Sequence, residues 1–439
     1  MPRSATSHSR RDALRLAGLG VAGLAGAGLA GCSRAPSTPS SNTTTSTGSG
    51  GGNKSKTFTM YWNPGHVYKA YEKVVKQFES DHGVTVNWQK YQWPDLQTKL
   101  QTDISAGTLP DLVEQPGGDT AISLALTGDL LALDPYIAKD GEKMGFPSDW
   151  QSASVRPWQH GGKTYGIQIH LTCIQLYYNK TMLHDAGVEP PSTWDELLDV
   201  GPKLTHANTY ALALNQVASY SDPWFLQAGA HLYDADSKKV LTPRDKAMKA
   251  LQFQHDLIYK HKFSPPPTAS SDYEGPQKLL SAKRAAMILS GPWDILPIKQ
   301  AGGVDLGLAL PLKDAQRKTT LAGSGVVIPA KAPNPDLAWD LIKRMTALKV
   351  ELAVTEEATQ TMPRKSWGKQ PQVKSNPVVN AIAQALPYGV DWAQELAPTG
   401  KLPQIDDAFN TLYQSVAISN ADPATAMSKF DSAAAKVLG

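Results

Sequence analysis

Thr57-Phe58-Thr59-Met60-Tyr61-Trp62, closed by Asn63-Pro64-Gly65, is the stretch from which the rest of this chain can be read. Six β-prone residues that stop at a Pro-Gly turn signal describe a short strand. Immediately downstream, Val67–His82 sets Tyr71, Val74, Val75 and Phe78 on one helical face. Val84–Tyr91 then returns to β-type alternation. Leu96–Ala106 reads as a helix, Asp111–Glu114 as a strand and Thr120–Thr127 as a helix. Strand, helix and strand in this cadence need crossover connections, which predicts a parallel sheet with helices on both faces. The cadence resumes later, with strands expected at Ile174–Tyr178, Ala285–Leu289 and Val304–Leu308. Helices are expected at Trp194–Leu204, Ala247–His261, Pro335–Leu348 and Asp406–Ala417.

Upstream of the first strand the sequence changes character twice. Arg10-Arg11 precedes a Gly- and Ala-rich apolar run that ends in Leu29-Ala30-Gly31-Cys32. Paired arginines, a weakly apolar core and small residues at the boundary resemble a twin-arginine export signal, and the last four residues resemble a lipobox. Residues 1–31 are therefore read as a lipoprotein signal peptide, with Cys32 the acylated first residue of the mature protein. The run is short and glycine-diluted for a membrane span, which takes about 20 apolar residues. Residues 32–56 are dominated by Ser, Thr, Gly, Pro, Asn and Lys and read as a flexible tether between lipid and body.

The bulk composition narrows the function. The 439 residues are enough for two domains. The formal charge is +3, but four arginines and one aspartate lie in the signal, so the mature chain is close to neutral. That balance argues against nucleic acid as a partner. Of two cysteines, Cys32 is assigned to the lipid, leaving Cys173 alone and no disulfide to be made. The serine-hydrolase elbow is absent, since Ala322-Gly323-Ser324-Gly325 lacks its spacing. Zinc-protease and phosphate-loop motifs are absent as well. No enzyme activity and no cofactor are expected.

A series of segments along the body resembles the large carbohydrate-binding family of extracellular solute-binding proteins, the receptors of ABC importers. The series runs Ser105-Ala106-Gly107-Thr108-Leu109-Pro110-Asp111, Gly128-Asp129-Leu130-Leu131-Ala132-Leu133, Gly162-Lys163-Thr164-Tyr165-Gly166 and Leu176-Tyr177-Tyr178-Asn179-Lys180. It continues with Pro191-Ser192-Thr193-Trp194-Asp195-Glu196-Leu197, Ser290-Gly291-Pro292-Trp293, Gly323-Ser324-Gly325 and Pro363-Arg364. The resemblance implies an α/β, two-lobed periplasmic-binding-protein fold of type II, with hinge-linked lobes around a central cleft. One lobe is expected to hold 57–168 plus 322–363, the other 169–321 plus 364–439. Crossings are expected near Ile167–Leu171, Leu321–Gly325 and Thr361–Arg364. The implied function is a monomeric, lipid-anchored receptor on the outer face of the cytoplasmic membrane of a Gram-positive cell. It would capture a sugar or oligosaccharide by hinge closure and pass it to an ABC permease. The same fold binding a polyamine, amino-acid derivative or anion is the alternative, with a surface glycan-acting enzyme behind it.

A sugar offers hydroxyl edges and apolar C–H faces, so its site needs flat aromatics and planar polar groups. Trp62 and Asn63 end the first strand, where ligands lie in open α/β sheets. Glu114 and Gln115 end the strand after Pro110, with Asp119 just beyond. By the resemblance, His170 and Thr172 lie on the first crossing, Thr172 replacing an acid of the maltose-binding member. Trp293 aligns with a cleft tryptophan of the family and is followed by Asp294. Trp224, Ser324 and Arg364 complete the expected ligand-binding set, Arg364 as a gripper of a ligand oxygen or as partner to an internal carboxylate. Trp194, Trp339 and Cys173 are expected to be structural, with Thr193 capping the helix that begins at Trp194.

Overall fold

The computed structural model describes residues 56–269 and 273–439. The export signal, the lipidation call on Cys32 and most of the tether lie outside the described residues.

The opening stretch is a strand, β1 (Lys56–Trp62), at the centre of a parallel trio with β2 (Val84–Lys90) and β3 (Leu112–Gln115). The helices α1 (Lys69–His82) and α2 (Trp93–Ala106) make the crossovers. α1 turns Tyr71, Val75 and Phe78 inward, the i, i+4, i+7 stripe that commits a helix to a sheet face. A third helix, α3 (Gly118–Leu126), leaves the end of β3. The sheet is completed by two strands that arrive from far along the chain. Gly325–Val327 pairs antiparallel with β3, and Gly166–Gln168 pairs antiparallel with Gly325–Val327.

A second sheet carries four strands in the order 306–309, 175–179, 285–290, 210–213. Its one parallel pairing joins Ala285–Ser290 to Tyr210–Ala213, and the rest is antiparallel. The fold is thus two α/β lobes with mixed sheets, not the purely parallel sheet that the strand–helix cadence predicts. The reason is topological. A strand entering from the other lobe has no crossover helix to reverse its direction, so it runs antiparallel to its neighbour.

Between the sheets lies a three-stranded ribbon. Thr319–Ala322 pairs with Thr172–Cys173 on one side and Gly389–Val390 on the other. The expected crossings meet beside it. His170 N donates to Ser324 O at 3.0 Å, and Leu171 N donates to Thr361 O at 3.0 Å. The Thr361 hydroxyl returns a bond to Leu171 O at 2.5 Å.

The apolar packing departs from the expected two-lobe division at Ile122, which packs in the second lobe's cluster, and along the segment after Thr361–Arg364. Trp367, Val373 and Val379 belong to the same apolar cluster as Phe58, Val326 and Ile342. Ile382 belongs to a cluster with Tyr177 and Ile288 of the second sheet. The chain therefore changes sides within the helix Pro377–Ala385, beyond the crossing expected at Thr361–Arg364. Trp194 stacks on Phe253 at 4.2 Å, Thr193 Oγ1 accepts from Glu196 N, and Trp339 is buried. Cys173 is fully buried, and burial pushes its thiol well above the usual range. Among the described residues no helix is long and apolar enough to cross a membrane.

Candidate functional site

The carboxyl ends of β1 and β3 deliver three polar side chains into one buried patch. Asn63 follows β1 and is 2% exposed, while Glu114 and Gln115 end β3 with no exposure. Asn63 N donates to Glu114 Oε2 at 2.8 Å, and Glu114 Oε1 accepts from His66 Nδ1 at 2.6 Å. Gln115 Oε1 accepts from Gln97 at 2.9 Å. These bonds lock the planar groups at the strand ends in place.

His170 joins that patch to the hinge. Its Nδ1 hydrogen-bonds with Ser324 Oγ at 2.9 Å and its Nε2 with Tyr71 Oη at 3.1 Å. The ring packs edge-on to His66, 4.7 Å between centroids. Burial, with His66 adding to it, holds His170 well below the usual imidazole range, so it is neutral. Tyr68, beside both rings, accepts from Gln360 Nε2 at 2.8 Å, tying in the third crossing. His66, Glu114 and His170 bring ligating atoms within 4.8 Å of one another. The His66 nitrogen nearest the carboxylate and both His170 nitrogens are already engaged in hydrogen bonds, so the trio reads as a hydrogen-bonded network bracing the hinge.

Three atoms of this region stand out by what they lack. Asn63 Nδ2, Gln115 Nε2 and Thr172 Oγ1 are buried without a hydrogen-bond partner. A buried polar group left unmade costs roughly 1–3 kcal/mol, so such atoms in a native fold need a reason.

The second lobe contributes an aromatic wall. Trp293 is only partly buried. Its Nε1 donates to Tyr220 Oη at 3.1 Å, and one part of the ring lies so close over Gly291 that a Cβ there would sit 2.3 Å from it. Glycine at 291 is what lets the indole lie flat on the backbone. Asp294 accepts from Ser290 Oγ at 2.5 Å.

Three expected residues sit elsewhere. Trp62 has no exposed surface; it packs edge-on to Tyr71 and Trp88 and donates to His66 O at 3.0 Å, so it supports the site from the core. Trp224 is equally buried, packed against Trp194 and Phe253 inside the second lobe. Its loop position suggested a free ring, but the loop is the first turn of a wholly buried helix, Asp222–Ala228. Arg364 lies over Trp150 at 3.9 Å and donates to Thr346 O, Met144 O and Asp149 Oδ2. Its guanidinium is spent internally, as partner to a carboxylate and two carbonyls.

Sequence reading passed over Asp222, Asp391 and Asp406. Burial, then Asp406 and Asp119, pushes Asp222 well above the usual carboxylate range. Asp391 and Asp406 are pushed up to about 7 by the surrounding protein and by Asp119. Asp119 itself is raised by burial. Asp406 keeps an exposed side chain, where water screens much of the effect, so Asp222 is the group that feels it most. The four are scattered over 288 residues of sequence, and only the lobes' apposition gathers them.

Two hinge-joined α/β lobes, one with polar strand ends and the other with an aromatic wall, define a two-lobed binding protein. Residues 73–381 match the sequence model of the bacterial extracellular solute-binding proteins, and the chain belongs to that family. A maltotriose-binding protein of Pyrococcus abyssi is 26% identical over 312 residues, covering 68% of this chain and 64% of its relative. A galactooligosaccharide-binding protein of Bacillus subtilis is 23% identical over 381 residues, covering 84% and 86%. Among solved structures, an ABC transporter solute-binding protein of Thermotoga lettingae bound with alpha-D-tagatose superposes with a TM-score of 0.78. It is 26% identical, with 88% of this chain and 100% of that one covered. These relatives are binding proteins, not enzymes.

Proposed function

We propose that the chain is a saccharide receptor that closes over its ligand and delivers it to an ABC importer. The supporting observation is the set of uncommitted buried atoms: Asn63 Nδ2, Gln115 Nε2 and Thr172 Oγ1, held by rigid strand ends. Two amide donors and a hydroxyl match the edge of a sugar ring, whose hydroxyls both donate and accept. Trp293, with Tyr220 fixing its indole, supplies the flat surface for the apolar C–H face. Glu114, His170, Ser324 and Asp294 position this edge and wall. The names of the relatives, maltotriose- and galactooligosaccharide-binding, agree with a saccharide ligand. Acylation at Cys32, a tether over 32–56, a monomeric state and a position outside the cytoplasmic membrane belong to the same reading.

A thermal-shift screen against mono- and oligosaccharides tests it. A ligand at 100 times its dissociation constant stabilises by about 2.7 kcal/mol, which is several degrees of melting temperature. Hits are retested by calorimetry. Failure of every saccharide class to stabilise the protein sinks the reading. The four aspartates favour one variation on it, a cationic ligand.

A further inference from the structure

We infer that the ligand is a saccharide bearing a protonated amine, received by Asp119, Asp222, Asp391 and Asp406 where the two lobes meet. This rests on the saccharide-receptor reading above and names its ligand class.

The placement follows from packing. Asp222 is one helical turn before Phe225, and Asp406 one turn before Phe409; those rings touch at 5.4 Å between centroids. Asp391 is next to Trp392, whose ring is 6.1 Å from Phe225. Asp119 is one turn before Ile122, which belongs to the same apolar cluster although it comes from the first lobe. Asn410, one turn after Asp406, accepts from Ala218 N at 3.3 Å, in the segment that leads into Asp222. Three aspartates of the second lobe and one of the first thus share one neighbourhood.

Asp222 shows that the neighbourhood is unfinished. Its side chain is 4% exposed, and Oδ1 has no hydrogen-bond partner. The adjacent Ser221 hydroxyl is committed to Gln254. The groups that face Asp222 are themselves acidic, Asp406 and Asp119, and their charge with burial disfavours its ionised form. Arg156 stands near Asp391 and eases that group alone of the four. Ionising this buried carboxyl without donor or counter-charge is costly, and a cation that brings N–H donors removes the cost. An ammonium supplies three.

The aromatic wall selects the rest of the molecule. Tyr220 is two residues from Asp222, and Trp293 is bonded to it. A carboxylate beside an indole recognises a ring whose substituent is a cation, through charge on one side and C–H or cation–π contact on the other. A bare metal ion has no use for the indole.

Calorimetry at pH 7 with matched probes decides this. Chitosan disaccharide is compared with its N-acetylated counterpart diacetylchitobiose, and acarbose, with its secondary amine, is compared with maltotetraose. The amine-bearing member of at least one pair is expected to bind at least tenfold tighter. That ratio is expected to fall toward one in the Asp222→Asn/Asp406→Asn double variant and to shrink at 0.5 M salt. Without ligand, Asp222→Asn is expected to melt at or above the wild-type temperature at pH 8, because it removes a buried repulsion. Neutral members binding as tightly as their amine partners would overturn the amine proposal and leave the saccharide reading standing. Spermidine binding with no saccharide binding would overturn both, and no binding by either amine-bearing saccharide would overturn the amine proposal alone. Calcium saturating the four aspartates and displacing the amine would assign them to a metal and overturn the proposal.

Discussion

Trp293 carries the sharpest prediction at the level of one residue. It is the only partly buried aromatic among the expected ligand residues, and its role there does not require it for the core. Trp293→Ala is expected to weaken saccharide binding by 10- to 100-fold, roughly the 1.4–2.8 kcal/mol of a lost stacking surface. The melting temperature should shift little; unchanged affinity in calorimetry would remove Trp293 from the cleft. Glu351 gives a second, through acidity. It is 1% exposed, 3.4 Å from Arg364, and neither oxygen has a hydrogen bond. Burial outweighs the arginine and pushes its carboxyl up to about 8. The folded state therefore holds a proton that the unfolded state gives up near the ordinary glutamate value. Stability is fully present below that value and is lost as pH rises through about 8, at up to about 1.4 kcal/mol per unit. Glu351→Gln is expected to flatten the pH dependence of chemical denaturation between pH 5 and 8, and an unchanged slope would place the charge elsewhere. At this scale sequence was a mixed guide. Strand ends located Asn63, Glu114 and Gln115 because position on a sheet edge is written in the pattern. Trp224 lies in the core and Arg364 takes the second of its two expected roles, partner to an internal carboxylate, because an aromatic or a guanidinium serves core and cleft equally well and only packing decides.

Secondary-structure elements were legible wherever one face of each is apolar. Trp194–Leu204 has the bounds its spacing and its Thr193 cap predict, and Thr193→Ala is expected to cost about 1 kcal/mol in urea denaturation. The helices Leu348–Ala358 and Pro423–Leu438 were not foreseen as separate elements. In the first, Glu351 and Thr355 face inward, which breaks the apolar period that sequence reading follows. The antiparallel strands were equally hidden, since Gly325–Val327 is three residues long and finds its partners across the fold. The turn before it is the most constrained in the hinge. Gly323 has φ +131°, and a Cβ there would lie 2.0 Å from His170 O. Gly323→Ala is expected to lower stability by more than about 2 kcal/mol, because strain and overlap act together. A melting temperature equal to wild type would show that the crossing can be rearranged.

The whole molecule behaves as a receptor only if its lobes move. Saturating ligand is expected to reduce the radius of gyration in small-angle scattering, and an identical radius with and without it would argue against closure. Replacement of Cys32 by Ser is expected to release the protein into the medium, whereas continued membrane association would contradict the tether reading. Two-lobed architecture was readable from ordered segments spread along the chain, because many weak matches in one order constrain each other. The aspartate quartet was not readable, because lobe apposition is a property of no local stretch. Ile122 has a consequence at this scale too. It projects from the first lobe, is 3% exposed, and its helix packs on Ala397–Thr399 of the far side. Prising that contact open wets one isoleucine, worth about 1.5–3 kcal/mol, or roughly a 10- to 150-fold bias in resting population. Such a greasy latch sets how often the empty cleft snaps shut on nothing, and hence how much of every ligand's affinity is prepaid. Ile122→Ser should accordingly weaken all ligands by one common factor, whatever their chemistry.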